Sequence, residues 1–126
     1  MRSPDPSGHP RILLLDDDPV FCRLMERSAR GLGVPLAVCS RLAELGEQES
    51  HHDFDAAVVD YYLEDMTGPQ IVALLHERPF LLVSQDDNCL GGNAALPEGI
   101  HTFLPKRAGP RAILKAAVAL GRKEAL

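Results

Sequence analysis

The run Ile12-Leu13-Leu14-Leu15-Asp16-Asp17-Asp18-Pro19 sets the architecture of this chain. Four apolar residues without polar alternation, cut off by three carboxylates, are what a short strand covered on both faces requires. Pro19 then opens a helix, because the first helical N–H has no partner within the helix and the proline ring presets the backbone angle. Asp18 becomes the N-cap carboxylate. Asp16 and Asp17 are left without a structural role.

Outward from this run, strands and helices alternate. Val20, Phe21, Leu24, Met25, Ser28, Ala29 and Leu32 recur at helical spacing and predict a core-facing stripe, ended by Gly31 and Gly33. Val34 to Cys39 reads as a second strand, confined to a sheet edge because Pro35 lacks a backbone donor. Ser40 caps a second helix running to about Ser50, and the adjacent His51 and His52 read as solvated loop residues rather than metal ligands. Asp55-Ala56-Ala57-Val58-Val59-Asp60 is a third strand that again ends in a carboxylate, and Gly68-Pro69 begins a third helix carrying Ile71, Val72, Leu74 and Leu75. Phe80-Leu81-Leu82-Val83 is the fourth strand, with Ser84 at its tip. Gly91, Gly92 and Pro97 shorten any helix between Asp86 and Gly99. His101-Thr102-Phe103-Leu104 is the fifth strand, leading to Pro105-Lys106. Ala112, Ile113, Ala116, Ala117 and Leu120 give a closing helix its apolar face. The class is α/β, a doubly wound parallel sheet of (βα)5 form, in which ligands sit beyond the carboxyl ends of the strands. Asp16, Asp17, Asp60, Ser84 and Lys106 all fall on that rim.

At 126 residues the chain is one domain, with a Pro-rich flexible segment at 1–10 and the folded unit at 11–126. Thirteen basic against 18 acidic residues give a net charge of −5, which argues against direct nucleic-acid binding through an overall positive field. Cys22, Cys39 and Cys89 stand at no metal-ligand spacing and read as buried or idle thiols outside any disulfide framework. No apolar run approaches the roughly 18 residues that span a bilayer, so the expectation is a cytoplasmic protein without a membrane partner.

Three carboxylates within about 5 Å of one another repel by roughly 3 kcal/mol per pair at an effective dielectric near 20. A hard divalent cation relieves that repulsion, and Mg2+ does so with one or two carboxylates while keeping positions for water or phosphate oxygens. Lys106 offers a point positive charge and Ser84 a hydroxyl donor, both suited to the oxygens of a transferring phosphoryl group. Asp60 remains as nucleophile or acceptor.

On these residues the sequence resembles the response-regulator receiver domains of two-component signalling. Leu13-Leu14-Leu15-Asp16-Asp17-Asp18-Pro19 resembles the family's first strand and acidic pair. Val58-Val59-Asp60-Tyr61-Tyr62-Leu63-Glu64-Asp65-Met66-Thr67-Gly68 resembles its phosphoacceptor segment, with a glycine eight residues after the aspartate. Leu82-Val83-Ser84 matches the strand bearing a hydroxyl, and Phe103-Leu104-Pro105-Lys106 the strand bearing the lysine. The resemblance implies a flavodoxin-like sheet of strand order 2-1-3-4-5. It implies that Asp60 takes a phosphoryl group from the phosphohistidine of a sensor histidine kinase or phosphotransfer protein, and that no separate substrate is turned over. Asp17 and Asp60 would bind Mg2+ directly, Asp16 through water, and the Tyr62 backbone carbonyl would complete the protein ligands. Ser84 and Phe103 would be the switch pair through which phosphorylation changes binding of a downstream protein target. The fourth and fifth helices would offer a face for a homodimer or effector, and Arg111, Lys115 and Arg122 lie on one side of the fifth.

Two departures from the family pattern carry expectations of their own. Arg107 stands where the family places a proline after a cis bond, and a cis non-proline bond costs about 3–4 kcal/mol, so a trans bond is predicted. Tyr62 and Gln85 are larger than the residues usual beside the phosphorylation site, and a ring there would obstruct hydrolytic water and prolong the phosphoryl state. Two rival readings remain at this point. One is a degenerate receiver that binds partners without phosphorylation. The other is a haloacid-dehalogenase-like phosphatase with Asp16 as nucleophile in Asp16-x-Asp18, although Pro19-Val20 replaces its usual Gly-Thr.

Overall fold

A computed structural model describes residues 8–40, 54–60, 79–84 and 100–125. Within them lie β1 (Ile12–Leu15), α1 (Pro19–Leu32), β2 (Leu36–Cys39), β3 (Ala56–Asp60), β4 (Phe80–Ser84), β5 (Ile100–Pro105), a 3-10 turn (Lys106–Ala108) and a closing helix (Pro110–Ala125). The helices expected after Ser40 and from Gly68, the loop His51-His52-Asp53 and the segment Asp86 to Gly99 lie outside the described residues.

The five strands form one sheet in the order β2-β1-β3-β4-β5, every pairing parallel. This is the flavodoxin-like order that the resemblance implies, with β2 on an edge as Pro35 demands. The chain reverses direction across the sheet between β1 and β3, which makes their carboxyl ends the switch point where such sheets bind ligands. Register then assembles the rim. Leu15 pairs with Val59, so Asp16 follows level with Asp60; Asp60 pairs with Val83 and Ser84 with Pro105, so Ser84 and Lys106 emerge one step beyond their neighbours.

Both sheet faces are covered, as continuous apolar strands predict. Ile12, Leu14, Val58, Leu81 and Val83 form one cluster with Phe21, Cys22, Met25 and Ala29 of α1 and Ile113, Leu114, Ala117 and Val118 of the closing helix. Leu13, Leu15, Ala57, Val59 and Leu82, which alternate to the other face, are equally inaccessible.

Asp18 caps α1 as expected, its Oδ1 accepting from the N–H of Val20 at 3.0 Å and of Phe21 at 3.3 Å. Two details of the helix differ from the sequence reading. Gly31 stays inside the helix, and Gly33 alone ends it, in the left-handed region at φ 72°. The core stripe is also narrower: Phe21, Met25 and Ala29 are buried with Cys22, whereas Val20 is 56% and Leu24 42% exposed. Rows 20/24 and 21/25 are adjacent on a helix of 3.6 residues per turn, and only the second row lies over the sheet.

The closing helix is rotated in the same sense. Leu114 and Val118 join Ile113 and Ala117 in the core, while Ala112 is exposed and Ala116 and Leu120 are half-buried. Gly121 is needed for close approach, since a Cβ there would fall 2.7 Å from Pro10 Cβ and 3.2 Å from Asp55 Cβ. Pro10, the last residue of the segment expected to be flexible, is therefore buried against this helix. Cys22 and Cys39 are buried and in no disulfide, as expected; Cys89 lies outside the described residues. No described helix is long and apolar enough to cross a membrane.

Candidate functional site

Asp16 leaves the end of β1 completely buried, and its environment is set by the turn into α1. Its Oδ1 accepts the Asp18 N–H at 2.9 Å, closing an Asx turn that feeds the helix cap. Asp16 thus has the structural role that the sequence alone did not give it. Its N–H donates to the Cys39 carbonyl at 3.2 Å, and its own carbonyl accepts the Cys22 thiol at 3.3 Å. Burial, with the Asp16 charge nearby, pushes the Cys22 thiol up to about 12, so it stays protonated and acts as a donor.

Asp17 is exposed at the mouth, and Asp60, at the tip of β3, is 8% exposed. One carboxylate oxygen from each of Asp16, Asp17 and Asp60 lies within 4.8 Å of the others. Lys106 reaches into this group from the 3-10 turn after β5. Its Nζ is 2.9 Å from Asp16 Oδ2 and 3.9 Å from Oδ2 of both Asp18 and Asp60, and it stands 4.6 Å from the centroid of the Phe21 ring. Ser84 is buried at the end of β4. Phe103 pairs with Leu82, two residues before Ser84, so strand alternation puts Phe103 and Ser84 on one sheet face, opposite α1. The Lys106–Arg107 peptide is trans, as are all described peptide bonds.

The acidic group suits a hard cation. Asp16 Oδ2 is buried with no hydrogen bond of good geometry, although the Lys106 ammonium lies close to it. Burial raises the Asp16 carboxyl above its ordinary value, and this outweighs the opposing pull of Lys106 and of the Asp18 N–H. The cost of desolvation falls on the charged form, and an oxygen-seeking divalent ion offsets that cost. Asp16, Asp17 and Asp60 therefore fit Mg2+ in number and type of donor. The Tyr62 carbonyl, and Tyr62 and Gln85 as obstacles to water, lie outside the described residues.

A pH dependence follows. An acid whose folded pKa is raised holds its proton more tightly in the folded state, so stability from Asp16 is present below the ordinary value of 3.8 and is lost as pH rises from there through the raised value. We predict that in chelator, urea midpoints of Asp16→Asn lack a component of decline over this window that the wild type shows. Identical slopes in both proteins would contradict the assignment.

Sequence reasoning found Asp16, Asp17, Asp60, Ser84 and Lys106 as rim residues, and the structure brings the three carboxylates and the lysine into one cluster. It missed Asp18 as a neighbour of Lys106 and Phe21 as the ring beneath it. The only sequence signal for either is their place in the first turn after β1, where a side chain overhangs the strand ends.

A family model described as response regulator receiver domain matches residues 12–118. No curated protein matches the chain. Among solved structures, the signal receiver domain of NarL from Mycobacterium tuberculosis is 26% identical with a TM-score of 0.73, over 90% of this chain and 97% of that one. A CheY-like receiver domain protein from Methanospirillum hungatei is 20% identical with a TM-score of 0.72, over 90% and 94%. A response regulator from Burkholderia pseudomallei, whose structure contains a phosphorylated aspartic acid, calcium and citrate, is 21% identical with a TM-score of 0.69, over 90% and 69%. Since the family match runs from the first residue of β1 into the closing helix that completes the core, this chain belongs to the response regulator receiver domain family.

Proposed function

We propose that the domain accepts a phosphoryl group on Asp60, from the phosphohistidine of a sensor histidine kinase or phosphotransfer protein, and that the phosphorylated form switches binding to a downstream protein. The observation that carries this reading is the meeting of Asp16, Asp17 and Asp60 within 4.8 Å, with the Lys106 ammonium 3.9 Å from Asp60. An Asp60 oxygen attacks phosphorus as the P–N bond breaks, and the bonding pair leaves with the imidazole nitrogen. Asp17, Asp60 and the Tyr62 backbone carbonyl would hold Mg2+ directly and Asp16 would hold it through water, and the ion would supply charge neutralisation for the transferring oxygens. Lys106 and the Ser84 hydroxyl take further phosphoryl oxygens, and Phe103 repacks as Ser84 turns. Val20 and Leu24, exposed one turn apart in the first half of α1, offer the donor an apolar landing. No substrate is turned over, and the setting is the cytoplasm.

One observation favours a second reading, a receiver that works unphosphorylated: Lys106 is closer to Asp16 than to Asp60, at 2.9 Å against 3.9 Å. The phosphatase reading fits less well. It needs Asp16 as nucleophile, and Asp16 is fully buried with one oxygen already accepting a backbone N–H. Incubation with Mg2+ and acetyl phosphate, followed by peptide mass mapping, tests all three. The expected result is one phosphoryl group on Asp60, dependent on the cation. No uptake would favour the unphosphorylated receiver, and label on Asp16 the phosphatase.

A further inference from the structure

The Lys106 ammonium is surrounded unevenly. Asp16 and Asp18 lie in the β1–α1 connection and Phe21 in the first turn of α1, and Asp60 alone comes from β3. The lysine side chain is 9% exposed, its Nζ 2.9 Å from Asp16 and 4.6 Å from the Phe21 centroid, within the roughly 6 Å over which a cation is attracted to a ring face. Phe21 is 6% exposed and packed in the core cluster, on a helix whose first turn Asp18 ties down, so the ring cannot follow the lysine elsewhere.

We propose that Phe21 is a positioning residue which seats Lys106 on Asp16 as that carboxylate's resident counter-ion, and that a divalent cation at the cluster must displace the ammonium from this seat. The proposal rests on the receiver reading and deepens it. With no metal bound, the lysine neutralises the most buried carboxylate. A metal-bound water and the ammonium compete for the Asp16 carboxylate, and the two cations repel each other across the cluster, so a firmer seat means weaker metal binding. Released from Asp16, Lys106 becomes available to a phosphoryl group on Asp60. The seat therefore couples cation loading to readiness for phosphorylation.

The simpler role for Phe21 is core packing alone, and the test separates the two. In metal-free protein, NMR should show the Lys106 ε-protons shifted upfield by the ring current, with the signal assigned by its loss in Lys106→Gln. Titration with Mg2+ should remove that shift. Pentafluorophenylalanine at position 21 keeps the ring but reverses its face potential, and should tighten Mg2+ binding about tenfold, the size of a desolvated cation–π contact. Phe21→Leu should move affinity in the same direction, and the fluorinated ring covers the case in which Phe21→Leu folds poorly. Absence of the upfield shift, its persistence at saturating Mg2+, or unchanged affinity with the fluorinated ring would each overturn the proposal. A ring-current shift in a protein that binds no Mg2+ would overturn displacement together with the cation-dependent receiver reading. An absent shift in a protein that binds Mg2+ and labels on Asp60 would overturn the seat alone.

Discussion

Asp60→Asn is expected to abolish phosphoryl uptake, lowering its rate by at least about a hundredfold, or about 2.7 kcal/mol of barrier. The amide is neutral and a poor nucleophile, and it withdraws one of the three anionic donors that meet within 4.8 Å. Asp16 cannot take over, because it is fully buried and its Oδ1 accepts the Asp18 N–H. Asp17 is exposed but stands on the β1 side of the cluster, two strands from Ser84 at the end of β4. The fold should survive the change, since the amide replaces a carboxylate of the same shape among like charges. Intact mass after incubation with acetyl phosphate and Mg2+ measures the effect. Full labelling of the variant would place the acceptor elsewhere.

Leu14→Ala should cost about 3 kcal/mol of stability, within the range of roughly 2–5 kcal/mol for truncating a buried leucine. Leu14 is inaccessible on a strand flanked by β2 and β3, and it packs in the cluster that joins α1 and the closing helix to the sheet. Two covering helices and two neighbouring strands restrict collapse into the cavity. Urea unfolding measures it, and a loss below about 1 kcal/mol would mean that the site relaxes freely. The same change at Val20, which is 56% exposed, should alter stability by no more than about 0.5 kcal/mol.

What was legible in the sequence was what local chemistry dictates. Continuous apolar runs ending in Asp16 and Asp60 marked strands buried on both faces. The Asp18-Pro19 pair marked a helix start, and Pro35 marked an edge. The order of strands came only through the resemblance, because periodicity does not say which strand neighbours which. Helix faces were legible to within about one residue row: Val20 and Leu24 fit the apolar spacing as well as Phe21 and Met25, and only docking on the sheet chooses between adjacent rows. The closing helix erred for the same reason at Ala112, Leu114 and Val118.

The rim was legible as a set of positions, because strand ends in a parallel sheet share an edge. Its internal geometry was not. Whether Lys106 leans on Asp16 or Asp60 depends on where the turn after β5 aims the side chain and on the Phe21 ring beneath it, and both are set by tertiary packing. Asp16 illustrates the limit most clearly. Read as spare, it is the most buried carboxylate of the cluster, and it shapes the turn that positions Asp18.

The central claim is that these carboxylates hold a divalent cation at the place where a phosphoryl group is captured. Calorimetric titration of the wild type with Mg2+ tests it most directly. One site per chain is predicted, with affinity lost in Asp17→Asn and in Asp60→Asn; no Mg2+ uptake by the wild type, or equal uptake by both variants, would contradict it.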